Sequence, residues 1–244
     1  GLWAQPCRRA DYRFMERGAC WKISGDAVNI QPPISETDLE TLQRETFDYF
    51  IHEANPANGL VIDKTELGWP ASIAATGLAL AAYPVGVERG FWPRSAAVER
   101  TLTTLRFFWN SPQGPELDVT GHKGFYYHFL DMKTGRRAWD CELSTIDSTF
   151  LLAGALTASI YFDAETAEER EIRGLADALY RKADWAWAQN GEATVTHGWR
   201  PEPGRDVRPV RPGRPPAPVA RGCAAARTTR ADRRAHPLAR SGRA

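Results

Sequence analysis

Three carboxylates stand close together in residues 138–147, immediately before a long apolar run. In an extended chain Asp140 and Glu142 point to the same side, because side chains two residues apart share a face. Ser144 is expected to cap the following helix, with Asp147 three residues on as its capping partner. Capping does not explain Asp140 and Glu142, which precede the helix. They either face solvent, as many acids do, or line a cavity where paired carboxylates exchange protons with a ligand.

The histidines and cysteines of the chain do not predict a metal site. His128 and His197 lie near the aromatic and acidic motifs, but neither has a ligand partner at a usual spacing. The four cysteines form no C-x-x-C pair and no zinc-type pattern. We therefore predict neither a metal nor another cofactor.

The apolar pattern predicts five helices of two alternating kinds. Residues 35–55, 94–109 and 165–189 each have one apolar face, which is typical of helices covered on one side. Residues 71–83 and 146–162 are small and apolar on every side, which indicates helices that are buried all round. This alternation predicts a ring of helical hairpins rather than an ordinary bundle, whose helices each keep a polar face. The residues just before each inner helix would then crowd around the central cavity.

A β-hairpin is predicted before the second inner helix. The aromatic residues 125–130 form its first strand, and residues 133–135 form its turn. The chain then returns through residues 136–143 and places the acidic cluster at the start of the helix.

Charge divides the chain into two unlike parts. The 244 residues carry a net charge of +1, yet residues 205–244 hold eleven Arg against two acids, a net of +9 that leaves −8 for the rest. An acidic main part rich in aromatic residues argues against a nucleic-acid-binding surface there. No stretch has the length and apolarity of a transmembrane helix, and no signal-peptide core is visible.

Residues 205–244 consist mainly of Arg, Pro, Ala and Gly and predict a disordered basic tail. Such a tail could bind nucleic acid or a membrane surface. Because it has no aromatic residue and no Lys, we favour a different interpretation, that of GC-rich coding sequence translated in the wrong reading frame. We therefore expect no nucleic-acid partner. Residues 1–34 show no sustained period, which leaves residues 35–204 as the predicted domain.

Several motifs of this central part resemble the bacterial glycoamylase-like domain family, which includes endo-β-1,2-glucanases and the matching domain of cyclic β-1,2-glucan synthases. The resemblance covers about residues 35–204. The motifs that carry it, in order, are LQRETFDYFIHEANPANGLVIDKT, SIAATGLALAAYPVGVERG, TLRFFWNSPQG, GFYYHFLDMKTGRRAWDCELSTID and ATVTHGWRPEPG. It implies an all-α fold, the (α/α)6 toroid, and hydrolysis or transfer of a β-linked glucan, with an oligo- or polysaccharide as partner. It also suggests a periplasmic or secreted location.

On that resemblance, Asp140, Glu142 and Asp147 correspond to the family's acidic motif and are the expected catalytic groups. Glycoside cleavage uses one carboxylic acid to protonate the leaving oxygen and one carboxylate to activate water or attack the sugar. Aromatic rings suit the apolar faces of glucose, and a turn arginine could orient acids or hydroxyls. The expected substrate contacts, each with simple packing or solvation as its alternative role, are Tyr126, Tyr127, Trp139, Trp199 and Arg137.

The family pattern is interrupted near residue 204, where the basic tail begins. Fewer than half of the helices of a full ring are visible, and an essential acid is expected in the part that is not. We therefore expect the chain as written to fold poorly and to lack glucanase activity. Two alternatives are a carbohydrate-binding or structural half-domain without turnover, and a nucleic-acid-binding protein acting through its tail.

Overall fold

The computed structural model describes residues 35–202, and the expectations for residues 1–34 and 205–244 lie outside the described residues. Helices form its framework, and short antiparallel strands lie where two of them begin. The helices are α1 (Glu36–His52), α2 (Ile73–Glu88), α3 (Arg94–Asn110), α4 (Thr145–Tyr161), α5 (Ala167–Lys182) and α6 (Trp185–Gln189). All five predicted helical segments are therefore confirmed, with one division in the last.

The segment predicted as one helix over residues 165–189 divides into α5 and α6 at Ala183. Asp184 begins the new helix, because its side chain accepts a hydrogen bond from the N–H of Trp187. Its own N–H donates to the carbonyl of Lys123, far away in sequence. If α5 continued, the N–H of Asp184 would donate to the carbonyl four residues earlier. Because it donates to Lys123 instead, α5 ends here.

The inner helices α2 and α4 touch at two glycines. A Cβ atom added to Gly154 would lie 1.9 Å from the carbonyl oxygen of Gly77, and one added to Gly77 would lie 2.5 Å from that of Phe150. Both distances are far shorter than a van der Waals contact. Only glycine therefore permits this approach of the two backbones.

The outer helices cover this pair in the predicted order. Arg94 of α3 joins α5 through two hydrogen bonds of 2.9 Å to the carboxylate of buried Glu169, a bidentate ion pair. α1 buries only Phe47, whose ring reaches Gly86 of α2. Residues 36–46 of α1 are exposed to solvent.

The expectation that α2 and α4 are buried on every side is wrong for one face of each helix. Leu78 is 51% exposed and Val85 44% on α2, and Ile160 is 78% exposed on α4, where Phe150 is also exposed. Leu78 and Val85 are seven residues apart and share one face of α2, whereas Phe150 and Ile160 lie about 80° apart around α4. We call each pair the apolar stripe of its helix. The reason is that neighbouring helices within residues 35–202 cover the other faces only.

In this described part of the chain, no helix is long and apolar enough to cross a membrane.

Within residues 35–202, six short strands precede or flank the inner helices. The first sheet pairs β1 with β4, and the second has the order β2-β3-β5-β6, with every pair antiparallel. β1 and β5 run directly into α2 and α4. The strands are β1 (Ala71–Ser72), β2 (Gly121–His122), β3 (Phe125–Tyr127), β4 (Phe129–Leu130), β5 (Leu143–Ser144) and β6 (Gly198–Trp199).

The predicted hairpin is confirmed. Tyr127 pairs with Leu143, and Leu130 pairs with Arg137 nearer the turn. β2 and β6 extend this sheet on its two sides, and neither was predicted. A strand of two residues is too short to show an alternating pattern, so sequence periodicity cannot detect it.

Candidate active site

His128 lies between β3 and β4, where the two small sheets meet. The backbone N–H of His128 donates to the backbone carbonyl of Glu142 at 3.0 Å. The backbone carbonyl of His128 accepts from the backbone N–H of Ile73 at 3.2 Å. One backbone segment therefore connects the strand before α4 with the first residue of α2. The starts of both inner helices are held at this point.

Glu142 and Asp147 share the imidazole ring of His128. Its Nδ1 atom lies 3.0 Å from Glu142 Oε1 and 3.6 Å from Asp147 Oδ2. Ser144, the N-cap of α4, donates from its hydroxyl to Asp147 Oδ2 at 2.5 Å and accepts from the Asp147 N–H at 3.1 Å. The predicted capping pair is confirmed, and the same carboxylate also faces the histidine.

The His128–Glu142 pair changes the ionisation of both partners. The hydrogen bond to His128 lowers the pKa of Glu142 to about 2, although partial burial opposes the shift. The same bond raises the pKa of His128, and the nearby charges of Asp147, Glu142 and Asp63 add to the rise. Glu142 is therefore a carboxylate across the physiological pH range, and a positive charge on His128 is stabilised.

An open cavity of about 400 Å³ lies in front of these acids. Arg200, just after β6, points its Nη2 atom at Glu142 Oε2 across 3.4 Å, and its Nη1 donates to the backbone carbonyl of Asp140. The cavity thus combines the carboxylates of Glu142 and Asp147 with the guanidinium of Arg200 and the imidazole of His197. Its lining residues are Glu142, Ser144, Ile146, Asp147, His197 and Arg200.

Sequence reasoning missed Arg200 and considered His128 only as a metal ligand. The available signals were the position of His128 inside the predicted hairpin and that of Arg200 inside the GWRPEPG motif. Neither shows which side chain the residue will meet. Among the described residues, no group of three or more His, Cys, Asp or Glu side chains is arranged to hold a metal ion.

Asp140 does not point into the cavity as the extended-chain prediction required. Trp139 and Asp140 have φ angles of +58° and +47°, and the N–H of Cys141 donates to the carbonyl of Ala138. The chain therefore makes a tight turn here, which breaks the two-residue alternation on which the prediction depended. Asp140 is exposed and contributes its backbone carbonyl, which accepts from Arg200.

Three predicted substrate contacts are core residues instead. Tyr126 and Tyr127 are only 1% and 0% exposed, and the Tyr126 hydroxyl donates to the carbonyl of Phe108. The side chain of Arg137 is 3% exposed, lies over the Tyr127 ring, and forms an ion pair of 2.6 Å with Glu202. These groups pack the hairpin against the helices, so none of them offers a face to a sugar.

The two predicted tryptophans lie in different surroundings. Trp199 of β6 pairs with Leu143 of β5. Because neighbouring residues of a strand point to opposite faces, the side chain of Trp199 lies on the face of the sheet opposite to that of Glu142. Its ring stacks on His122 with ring centroids 4.8 Å apart. Trp139 is 55% exposed and contacts Phe129, whose ring stacks on His128. The structure therefore brings Glu142, Asp147 and Trp139 to one region and leaves Trp199 in the packing of the sheet.

Comparison with curated proteins finds a relative whose name states its activity. No family model matches the chain. The exo β-1,2-glucooligosaccharide sophorohydrolase (non-reducing end) of Parabacteroides distasonis is 30% identical over 184 residues. The match covers 72% of this chain and 24% of that protein.

Comparison with solved structures confirms the fold. A candidate glucoamylase from Bacteroides uniformis superimposes with a TM-score of 0.60 at 30% identity, over 70% of this chain and 42% of the other. A β-1,2-glucanase from Parabacteroides distasonis gives a TM-score of 0.60 at 26% identity, over 70% of this chain and 25% of the other. The chain thus spans less than half the length of each of these three proteins. The predicted all-α, toroid-type arrangement of helices is confirmed by these neighbours.

Proposed function

Because this chain belongs to the bacterial glycoamylase-like domain family, we propose that residues 35–202 form one wall of an active site acting on β-glucan. The observation that carries this proposal is the pair of carboxylates, Glu142 and Asp147, that faces an open cavity and shares one histidine. Glycoside cleavage requires such a pair, one group protonated and one ionised. β-1,2-Linked glucan is the proposed substrate, since the sophorohydrolase and the glucanase that the chain resembles carry that linkage in their names.

In this proposal Glu142 is the ionised member of the pair. Its lowered pKa suits a group that activates water or attacks the anomeric carbon, and it does not suit a proton donor. Asp147, the other carboxylate on the cavity wall, is the second member of the pair, held by the hydroxyl of Ser144 and facing His128. Arg200 holds Glu142 from the opposite side to His128 and has further N–H groups to offer to sugar hydroxyls.

The test is a pair of conservative substitutions, Glu142→Gln and Asp140→Asn, in the full chain. Glu142→Gln should reduce release of reducing sugar from β-1,2-glucan by about 10²-fold or more, since it removes an ionised group at the reacting centre. Asp140→Asn is the matched control, because asparagine tolerates the same positive φ and the Asp140 side chain is exposed. It should leave cleavage within about twofold of the unaltered chain.

Calorimetric titration with β-1,2-glucooligosaccharides separates turnover from binding. A second candidate function, glucan binding without turnover, is favoured by the exposed ring of Trp139, since an open aromatic surface suits the apolar face of a sugar. Binding without product would support that candidate. Cleavage that survives Glu142→Gln would remove Glu142 from the catalytic set, and a chain that neither binds nor cleaves would contradict both functions.

A further inference from the structure

A row of four rings leads from the protein surface to the acid pair. The centroids of Trp69 and Trp139 are 4.7 Å apart, and those of Trp139 and Phe129 are 5.2 Å apart. Phe129 stacks on His128 at 4.1 Å with the ring planes 9° apart. His128 in turn lies 3.0 Å from Glu142. We call Trp69, Trp139, Phe129 and His128 the aromatic row.

The exposed member of the row stands on a strained backbone. Trp139 has a φ of +58°, which a bulky side chain rarely adopts, and the next residue, Asp140, has a φ of +47°. Consecutive positive φ values are typical of a type I′ turn, whose preferred sequence is Asn-Gly. The guanidinium of Arg200 donates to the Asp140 carbonyl, and the N–H of Ala138 donates to Phe129. The fold thus holds a tryptophan where glycine or asparagine would fit with less strain.

Packing against Trp69 and Phe129 covers less than half of this tryptophan. Its side chain is 55% exposed although it is among the largest apolar groups of the chain. The outer end of the row also carries polar groups. Trp69 donates from Nε1 to Asp63 at 3.3 Å, and the ammonium of Lys64 lies 3.6 Å from the centre of its ring. An open aromatic surface bordered by one acid and one base suits a ligand with apolar C–H faces and many hydroxyl groups.

We propose that the aromatic row is a sugar-binding subsite. When a glycosidic linkage of a glucan lies at Glu142, Trp139 stacks on another glucose unit of the same glucan molecule. This inference rests on the proposed function, because it needs a glucan at the acid pair. The three ring-to-ring steps separate the outer end of the row from Glu142. A single sugar at the acids therefore does not reach Trp69, and the row favours longer oligosaccharides over short ones.

Calorimetric titration of the full chain with a β-1,2-linked disaccharide and a series of longer β-1,2-glucooligosaccharides tests this inference. Trp139→Gly removes the ring and relieves the positive φ, so a loss of affinity would not follow from a loss of folding. We expect it to weaken binding of the longer oligomers by about three- to tenfold and to leave the disaccharide unchanged. Trp139→Phe should retain most of the affinity. Trp109→Ala, at a tryptophan that is 42% exposed on α3, is the matched control and should change neither.

The outcomes separate the subsite from the function on which it rests. If the unaltered chain binds longer oligomers more tightly and Trp139→Gly abolishes that gain, the subsite is supported. If the gain survives Trp139→Gly while Glu142→Gln still impairs cleavage, the subsite is wrong and the proposed function stands. If the unaltered chain binds no glucan of any length, both are overturned.

Discussion

At the scale of single residues, His128 decides the charge of the candidate site. Glu142 has its pKa lowered from 4.5 to about 2, so its contribution to the free energy of unfolding is present above about pH 4.5 and lost as the pH falls toward 2. His128 has its pKa raised above 6.5, so its contribution is present below that pH and lost as the pH rises through the raised value. The pair therefore stabilises the protein most at about pH 5–6.

We expect His128→Gln to lower the free energy of unfolding by on the order of 1 kcal/mol at pH 5–6 and by less at pH 3 and pH 8. The value is small because the two side chains are 31% and 32% exposed. Urea unfolding curves at the three pH values measure it. A difference between His128→Gln and the unaltered chain that does not vary with pH would contradict the ion pair.

At the scale of elements, the crossing of α2 and α4 depends on Gly77 and Gly154. Gly154→Ala places a methyl group 1.9 Å from a backbone oxygen, which cannot rotate away, and should cost about 1–3 kcal/mol or more. Gly174→Ala on α5 is the matched control, since its added methyl meets nothing within 4 Å. There alanine should stabilise the helix by up to about 1 kcal/mol. Thermal unfolding measures both, and equal effects would show that the backbones do not meet as described.

The elements that could be predicted from the sequence are those with a local signal. The helices repeat their apolar residues at helical spacing, and Ser144 and Asp147 are near enough in sequence to show a cap. β6 has no such signal, because its two residues pair with β5 from a distant part of the chain. Arg200 was missed for the same reason. The turn at Trp139 was missed because tryptophan is not a turn residue, so nothing local indicates a positive φ.

At the scale of the whole molecule, the apolar stripes of α2 and α4 remain uncovered by the described residues. Exposed apolar patches favour association with partners or with other copies. Ile160→Lys, at a side chain that is 78% exposed, should leave the free energy of unfolding within about 0.5 kcal/mol and reduce both dye binding and light scattering. Leu67→Lys, at a fully exposed leucine outside the stripes, should change neither. Unchanged scattering in Ile160→Lys would exclude the α4 stripe as the cause of association.

The contact between Gly77 and Gly154 also determines how the backbone exchanges its amide hydrogens with solvent. Because the two helices meet backbone to backbone, their central amides become accessible only when the whole core opens. Residues 36–46 of α1 are exposed, so fraying of that helix alone releases their amides. Exchange rates of the amides around Gly77 and Gly154 in native buffer would thus report the free energy of global unfolding without denaturant. Those at the start of α1 would report only the strength of the Ser35–Asp38 capping box.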